Sequence, residues 1–201
     1  EERDTQAKCV DFIYNYIQPK IVNYALYEFI YTDLDTEKFN TIDLDWKKLS
    51  YFKQESNRAV ADHIKTKLKF IGLKFKKSKI VFDTLYLKNQ QLYKDLVDKN
   101  MEILLAKNEH QRWNTFHYLN GFQKTNLITK QEKNELKKIH ELKKLHMCLV
   151  SFEEFKLKSD ELVDKGYELG SFEGYDFMIN QHIPFILAKS GFEIFKMEKI
   201  L

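Results

Sequence analysis

Apolar residues recur with a helical period near the start of the chain. Between Asp11 and Tyr31 they follow the spacing of one buried helix face. Pro19 lies inside this stretch, and proline kinks or breaks a helix because it lacks an amide hydrogen. The pattern therefore predicts a helix over 11–31, kinked or broken near Pro19, whose buried stripe consists of Phe12, Ile13, Tyr16, Ile17, Ile21, Tyr24, Ala25 and Phe29.

A second helix is predicted over 54–70, with Gly72 as a natural stop. The segment 32–45 that precedes it, TDLDTEKFNTIDLD, is acidic and rich in turn-forming residues. After Gly72, residues 73–82 alternate apolar residues with lysine for a few positions. This alternation favours a short strand or a hairpin.

The middle of the chain favours long helices. Residues 85–119 contain neither glycine nor proline, which predicts one long helix or two consecutive helices that end at Gly121. Residues 127–145 are rich in lysine and glutamate, so we expect a surface helix or a charged excursion there. Residues 172–197 predict a helix that ends at Gly191 and is followed by a short strand, FEIFKM.

Two segments of the chain resemble each other: 61–75 (ADHIKTKLKFIGLKF) and 180–194 (NQHIPFILAKSGFEI). Self-similarity of this kind indicates an internal repeat, and two copies are too few for a solenoid. At one constant offset the matching pairs are His63 with His182, Leu68 with Leu187, and Gly72 with Gly191.

The repeat predicts a mainly α fold made of two pseudo-repeated helical halves. Each half is expected to end in a short β-strand, and both are expected to pack into one compact domain over 1–201. The halves would span about 10–82 and about 85–199, with a charged excursion at about 123–146. Because ligands often bind in clefts between repeated units, we expect a ligand in the cleft between the halves.

The composition agrees with such a fold. A chain of 201 residues that is 43% hydrophobic and 31% charged is typical of a globular protein with one well-buried core or two small ones. Only 6 glycines and 2 prolines argue against an all-β sandwich with its many turns. A net charge of +3 is too small to indicate a nucleic-acid-binding protein. We expect the lysines of 65–79 and 124–144 to form solvated faces, with attraction of nucleic acid as the alternative.

The chain has only two cysteines, Cys9 and Cys148, which are too few for a disulfide scaffold and suit a reducing compartment. The sequence has no signal peptide and no apolar run approaching the roughly 18 residues of a spanning helix. We therefore expect a cytoplasmic location. Because the chain begins EERDTQ without a methionine, we also expect a missing N-terminal piece, and a membrane-anchored effector segment is one candidate for it.

The segment 108–122, NEHQRWNTFHYLNGF, has the densest array of polar and aromatic groups. On a helix, Glu109, Arg112 and Trp113 would share one face, and His110, Asn114 and His117 would form an adjacent face. An arginine can bind phosphate with two hydrogen bonds, and an indole can stack on a base. The face would thus suit an anionic, aromatic ligand. The alternative is that Trp113 and Phe116 are core residues and that Glu109 and Arg112 form an ordinary ion pair.

The segment 55–64, ESNRAVADHI, offers the same kinds of group. Asn57, Arg58 and Asp62 fall within two helical turns and are also candidate ligand-binding residues. The alternative is that Ser56 or Asn57 caps the helix and that Asp62 is a surface ion-pair partner.

Motifs for catalysis and for metal binding are absent from the sequence. It contains no HExxH or Cys/His pair with metal-ligand spacing, no glycine-rich phosphate loop and no GxSxG. We therefore expect neither an enzyme nor a metal or other cofactor. Four histidines lack the spacing of metal ligands and are not expected to bind a metal: His110, His117, His140 and His146.

Four segments, in their order along the chain, resemble the ryanodine-receptor repeat (RyR) domain in its bacterial form. They are ESNRAVADHIKTKLKFIG, NEHQRWNTFHYLNGF, KLHMCLVSFEEF and YDFMINQHIPFILAKSGFEIF. The resemblance covers most of the chain from about Tyr24 to Met197 and implies a compact, mainly helical unit with a duplicated build. The chain departs from the family pattern at Phe177, where a basic residue is usual, and at Met147, where a proline usually follows the histidine.

The resemblance implies a non-enzymatic sensor of a small nucleotide-derived signal, attached to or associated with an effector in antiviral defence. The ligand would be a cyclic oligonucleotide, an ADP-ribose derivative or an adenine nucleotide, and a homo-oligomer is a further expectation. The alternative is a protein-interaction or oligomerisation module with no small ligand. The expected ligand-binding residues are Asn57, Arg58, Asp62, Glu109, Arg112, Trp113 and Asp176, the last as the second-half counterpart of Asn57.

Overall fold

The computed structural model describes residues 2–17, 19–23, 26–31 and 38–198, and it confirms the predicted mainly α fold. Short strands and one 3-10 turn, Lys38–Thr41, accompany the helices. The described helices are α1 (Glu2–Tyr16), α2 (Ile42–Lys48), α3 (Tyr51–Phe70), α4 (Phe82–Lys94), α5 (Lys99–Leu119), α6 (Lys130–Leu142), α7 (Phe152–Leu157), α8 (Ser159–Asp164), α9 (Ser171–Gln181) and α10 (Ile183–Lys189). The described strands are β1 (Pro19–Asn23), β2 (Glu28–Tyr31), β3 (Leu73–Lys77), β4 (Gln123–Lys124), β5 (Leu145–His146) and β6 (Phe192–Lys196).

The chain divides into two compact units. The first unit comprises Glu1–Gln18, Thr32–Glu102 and Ile179–Leu201, and the second comprises Pro19–Tyr31 and Ile103–Met178. The division into two sequential, repeated halves stays a prediction.

The core of the first unit is built around Phe185 of α10, which is fully buried. The ring centroids of Phe12 and Phe39 lie 6.2 Å and 6.0 Å from that of Phe185. Those of Phe82 and Tyr86, both on α4, lie 5.9 Å away and meet its ring edge-on. Such aromatic pairs stabilise a core beyond the area that they bury. Helices α1 and α4 therefore both pack on α10 through this ring.

Strands β3 and β6 pair with each other in an antiparallel, two-stranded sheet in the first unit. Each strand follows a glycine in the left-handed region, Gly72 with φ 75° and Gly191 with φ 76°, where other residues are strained. The amide of Ser78 donates to the Gly191 carbonyl (2.9 Å), and the amide of Met197 donates to the Gly72 carbonyl (2.8 Å). The two bonds join equivalent positions of the two repeated segments, in opposite directions. Any antiparallel pair has such local symmetry, so the duplication of the halves stays a prediction.

The outer edge of β6 is covered by one side chain, that of Asn89 on α4. Its amide nitrogen donates to the Phe192 carbonyl (2.9 Å), and its amide oxygen accepts from the Ile194 amide (2.8 Å). Asn89 is fully buried. It thus satisfies two backbone groups of β6 that β3 does not reach.

The second unit has two apolar clusters. One contains Leu127, Met147, Cys148, Val150, Phe155, Leu162 and Tyr167. The other joins Tyr27 to Phe152, Phe177 and Ala106. Tyr27 has a φ of 51°, which is unusual for a residue with a side chain, and its ring lies 5.4 Å from that of Phe177 and 5.7 Å from that of Phe152. We infer that this packing holds Tyr27 in its strained conformation.

The helix predicted over 54–70 is confirmed as α3, which begins three residues earlier. Ser50 is its N-cap, and the Ser50 hydroxyl accepts a hydrogen bond from the amide of Lys53 at 3.3 Å. The alternative that Ser56 or Asn57 caps this helix is wrong, because both lie inside it.

The helix predicted over 11–31 is wrong beyond Tyr16. The chain leaves α1 there, and Pro19 begins β1, which pairs with β2 in register Pro19 with Tyr31. Proline suits this position because it lacks the amide hydrogen that a helix interior needs. Tyr24 and Ala25 of the predicted stripe lie outside the described residues.

The turn-rich segment 32–45 also contains more helix than predicted. Residues 32–37 lie outside the described residues, and α2 begins at Ile42 within this segment. Trp46 of α2 is buried, together with Ala7 and Ala61. Burial of this indole stabilises a short helix that local signals do not predict.

The segment 85–119 forms two helices, α4 and α5, which was one of the two predicted alternatives. The Asp98 carboxylate accepts from the amide of Met101 (2.8 Å) at the start of α5. The charged segment 127–145 contains the helix α6, which was one of the two alternatives for it. The single helix predicted to end at Gly191 is wrong in one respect: it is broken into α9 and α10 near Pro184, which stands at the start of α10.

Candidate functional site

Asn57 lies in the first unit, on the buried side of α3. Its amide nitrogen donates to the Asp11 carboxylate of α1 at 3.1 Å. Burial raises the pKa of Asp11, and the hydrogen bond from Asn57 opposes that rise only in part. Asn57 therefore joins α3 to α1 through a buried carboxyl group.

Arg58 is engaged by three groups of the first unit. Its Nε lies 2.5 Å from Asp4, its Nη1 lies 2.6 Å from Glu55, and its guanidinium lies 5.3 Å from the centroid of the Trp46 ring. These carboxylates raise the pKa of Arg58 above its already high usual value. The guanidinium thus has protein partners for both its charge and its planar face.

Asp62 is half exposed and forms an ion pair with Arg3 of α1. The Arg3 Nε lies 3.0 Å and its Nη2 2.8 Å from the Asp62 carboxylate. This is the surface ion pair that was the alternative interpretation of Asp62. All three candidates on α3 therefore contact α1.

Glu109 and Arg112 lie in the second unit and form a buried ion pair on α5. Glu109 is fully buried, and the Arg112 side chain is 9% exposed. The Arg112 Nε lies 3.0 Å from both carboxylate oxygens, and its Nη2 lies 2.7 Å from one of them. The helical spacing predicted this pair. Because Glu109 is out of contact with water, its charge requires the guanidinium beside it.

His110 bonds two groups at once. Its Nε2 lies 2.7 Å from the Val150 carbonyl, and its Nδ1 lies 2.9 Å from the Asp176 carboxyl group. A carbonyl oxygen only accepts, so Nε2 carries a hydrogen and donates it. The contact with Asp176 then holds one shared proton, either as imidazolium with carboxylate or as imidazole with carboxylic acid.

The pKa directions agree with this shared proton. Burial raises the pKa of Asp176 to about 6, although His110 acts against the rise. Burial by itself lowers the pKa of His110, but the hydrogen bond and charge of Asp176 outweigh it, and the net direction is upward. The pair therefore keeps its proton near neutral pH.

Trp113 follows on α5 and packs against two more histidines. The ring centroids of His117 and His146 lie 3.8 Å and 4.8 Å from that of Trp113. The His117 Nδ1 lies 3.0 Å from the Trp113 carbonyl, so this nitrogen carries a hydrogen and donates it. Burial lowers the pKa of His117 to about 4, which keeps the ring neutral at pH 7.

Asn114 and Glu173 extend this group of side chains. The Asn114 amide nitrogen donates to the Val150 carbonyl at 2.8 Å, while its amide oxygen is buried and accepts no hydrogen bond from a described residue. Glu173 of α9 is fully buried, and its charge acts on His110 and on Cys148. We name the following set the α5–α9 charge cluster: Glu109, His110, Arg112, Glu173 and Asp176.

The structure places the seven predicted site residues in two groups. Glu109, Arg112, Trp113 and Asp176 belong to the second unit, and Asn57, Arg58 and Asp62 belong to the first. The contact between His110 and Asp176 was not predicted, because the two residues are 66 positions apart. Glu173 was missed. Its helical spacing from Asp176 was a signal for a shared face but not for burial.

The described residues hold neither an activated thiolate nor a grouped set of metal ligands. Burial raises the pKa of both thiols, those of Cys9 and Cys148, to about 12, so neither is an activated thiolate at neutral pH. Among the described residues no three His, Cys, Asp or Glu side chains are grouped to hold a metal ion. The side chain of His140 lies outside the described residues.

No helix in the described part of the chain is both long enough and apolar enough to cross a bilayer. Comparison of the chain with protein-family models, with curated proteins and with solved structures finds no match in any of the three.

Proposed function

We propose that this chain is a non-enzymatic sensor domain that binds a small nucleotide-derived ligand beside the α5–α9 charge cluster and gates an attached effector, in antiviral defence. The observation that carries the proposal is the burial of five ionisable side chains next to an indole. Removing charges from water costs stability, and buried clusters with shifted pKa values are typical of functional sites. The resemblance of the quoted segments to the RyR domain supports the same function.

The cluster favours recognition of a base over recognition of phosphate alone. Glu109 and Arg112 offset each other, the His110–Asp176 pair is neutral with its one proton, and Glu173 adds a further buried carboxyl group. The Asn114 amide oxygen, which accepts no hydrogen bond from a described residue, suits the amino edge of a base. Trp113 offers a ring for stacking, which is sequence-tolerant and contributes roughly 1–3 kcal/mol per base.

Calorimetric titration with cyclic di- and trinucleotides, ADP-ribose derivatives and ATP tests the proposal. At about 100-fold above its Kd, the ligand should add about 2.7 kcal/mol to the free energy of unfolding. We expect Trp113→Phe and Arg112→Lys to weaken binding at least about tenfold. The matched control is Thr115→Ala, an exposed position on α5, which should leave the Kd unchanged.

Two results would contradict the proposal: no nucleotide of these classes binds, or the ligand binds Arg112→Lys and Trp113→Phe as tightly as the unaltered chain. Asn57, Arg58 and Asp62 were also predicted to touch the ligand. Their part is tested by Arg58→Lys in the same titration, which weakens binding only if this arginine contacts the ligand.

A second candidate function is a protein-interaction or oligomerisation module without a small ligand. It is favoured by large apolar side chains exposed in the second unit, namely Leu119 (82%), Leu142 (84%) and Leu157 (86%). Light scattering with and without nucleotide separates the two functions. An oligomer whose size does not depend on any nucleotide, in a chain that binds none, supports the module and not the sensor.

A further inference from the structure

The segment between Asp62 and Asp83 contains seven lysines and no acidic residue. Lys67 is buried, and the other six lysines are exposed. The whole chain has a net charge of only +3, so this short segment concentrates positive charge at one place in the first unit. The exposed lysines are Lys65, Lys69, Lys74, Lys76, Lys77 and Lys79.

Two of these lysines lie on the outward side of the β3–β6 sheet. Side chains alternate along a strand, and because Leu73 is buried, Lys74 and Lys76 point to the opposite face. The register places Phe195 of β6 opposite Lys74, and the Lys76 ammonium lies 5.3 Å from the centroid of the Phe195 ring. We name Lys74, Lys76 and Phe195 the basic sheet face.

The one carboxylate on this side of the two strands is already neutralised. Glu193 lies opposite Lys76 in the register and forms an ion pair with Lys88 of α4. Lys74 forms no ion pair with a described carboxylate, nor do Lys65 and Lys79. The positive charges of Lys65, Lys74 and Lys79 are therefore not paired with a carboxylate in the described part of the chain.

Exposed apolar side chains flank β3 at both of its ends. Phe70, before the strand, is 63% exposed, and Ile80 and Val81, after it, are 37% and 72% exposed. Single exposed apolar residues are ordinary, but here they border Lys74 and Lys79, which form no ion pair with a described carboxylate. Lysines combined with exposed apolar side chains are the composition that binds at the interface of an anionic bilayer.

We propose that the basic sheet face and the flanking apolar residues bind the surface of a membrane that contains anionic lipids. The lysines meet the headgroups, and Phe70 and Val81 enter the boundary between headgroups and acyl chains. Each lysine close to such a surface should strengthen partitioning about fivefold. Because this attraction is screened within roughly 10 Å at 0.1 M salt, binding should weaken as salt is added.

A lipid surface fits these residues better than a nucleic acid or a second copy of the chain does. A nucleic acid is bound by basic side chains together with aromatic rings that stack on bases. Phe70 and Phe195 are such rings, but the exposed aliphatic side chains of Ile80 and Val81 stack on no base and suit acyl chains. A second copy of the chain, paired edge to edge along β3, would set lysines against lysines.

Co-sedimentation of the full chain with vesicles tests the proposal. We expect binding to vesicles of phosphatidylcholine with phosphatidylserine, and none to vesicles of phosphatidylcholine alone. Lys74→Glu/Lys76→Glu should weaken partitioning roughly twentyfold or more. The matched control, Lys47→Glu/Lys94→Glu, makes the same change in net charge at exposed lysines elsewhere in the first unit and should bind as the unaltered chain does.

Val81→Ser tests the apolar part of the surface. Val81 is the N-cap of α4, a position that serine favours, so the fold should tolerate the change. We expect this variant to lose the part of vesicle binding that persists at high salt.

Lys74→Gln/Lys76→Gln makes a smaller change in charge. Its vesicle binding should lie between that of the unaltered chain and that of Lys74→Glu/Lys76→Glu.

Three outcomes would overturn the proposal. In the first, the chain does not bind phosphatidylserine vesicles at low salt, which would leave the lysines as protection of an edge strand against aggregation. In the second, the control variant loses binding as much as Lys74→Glu/Lys76→Glu. In the third, a single-stranded oligonucleotide binds the chain, Lys74→Glu/Lys76→Glu abolishes that binding, and vesicle binding is unchanged, which would make nucleic acid the partner.

Discussion

Asp176 and His110 are 66 positions apart in the sequence, yet their side chains meet at 2.9 Å in the buried interior of the second unit. The Val150 carbonyl fixes a hydrogen on the far nitrogen of the same ring. One proton is therefore shared between the near nitrogen and the carboxyl group. The titration of this pair links α9 to α5 and yields the first prediction.

We expect Asp176→Asn to change how stability depends on pH. The pKa values of Asp176 and His110 are both raised in the folded chain, so the folded chain binds more protons than the unfolded chain. The stabilisation that this proton binding contributes is lost as pH rises. In Asp176→Asn, only the Val150 hydrogen bond and the Glu173 charge still oppose the effect of burial, so the pKa of His110 should fall and the stabilisation at acid pH should decrease. Urea unfolding from pH 5 to pH 8 should show Asp176→Asn about 2 kcal/mol less stable at the acid end, with a smaller difference at the alkaline end.

The matched control for this variant is Asp160→Asn, the same chemical change at an exposed position of α8. It should leave the pH dependence as it is. If Asp176→Asn and Asp160→Asn gave parallel curves, the shared proton would have no effect on stability.

We expect Arg112→Met to destabilise the chain by about 3–5 kcal/mol, because it leaves the buried Glu109 carboxylate without its counter-charge. The double change Glu109→Leu/Arg112→Met removes both charges and should recover most of that loss. Denaturant unfolding of the two variants measures the difference. A double variant no more stable than Arg112→Met would mean that the buried charge is not the cause.

The control for this pair is Lys107→Met, which removes the exposed ion pair between Lys107 and Glu153. Exposed pairs are screened by water and contribute less than about 1 kcal/mol. The difference between the stability lost in Arg112→Met and the stability lost in Lys107→Met therefore measures the effect of burial.

We expect His117 to contribute to acid sensitivity. Its pKa is about 4 in the folded chain and about 6.5 when unfolded. Its contribution to the free energy of unfolding is therefore present above pH 6.5 and is lost as pH falls toward 4. The full loss is about 3 kcal/mol. The stability difference between pH 7 and pH 4 should therefore be smaller in His117→Gln by about this amount. An equal acid loss in both chains would show that His117 is not buried as a neutral ring.

We expect Asn89→Ala to cost about 3 kcal/mol, because it leaves the Phe192 carbonyl and the Ile194 amide buried without partners. The Ile194 amide should also exchange its hydrogen faster in this variant. Gln91→Ala, which removes only an exposed hydrogen bond to Asp95 on the same helix, should change stability by less than about 0.5 kcal/mol.

The sequence alone predicted the features that depend on neighbours a few residues apart. The helix at 54–70 follows from its apolar period, and the strands after Gly72 and Gly191 follow from glycines that adopt left-handed φ. The contact of Glu109 with Arg112 follows from helical spacing. All of these are local, so no knowledge of the tertiary structure was needed.

The tertiary structure decided what distant residues do to one another. The apolar period across Pro19 resembles a helix, but the chain forms a hairpin whose Tyr27 packs on Phe152 and Phe177. Burial of Glu109 and the meeting of Asp176 with His110 likewise depend on segments far away in sequence. A side-chain pattern records which face of an element is apolar. Which partner covers that face, and so which charges lose their water, is set only when the elements pack.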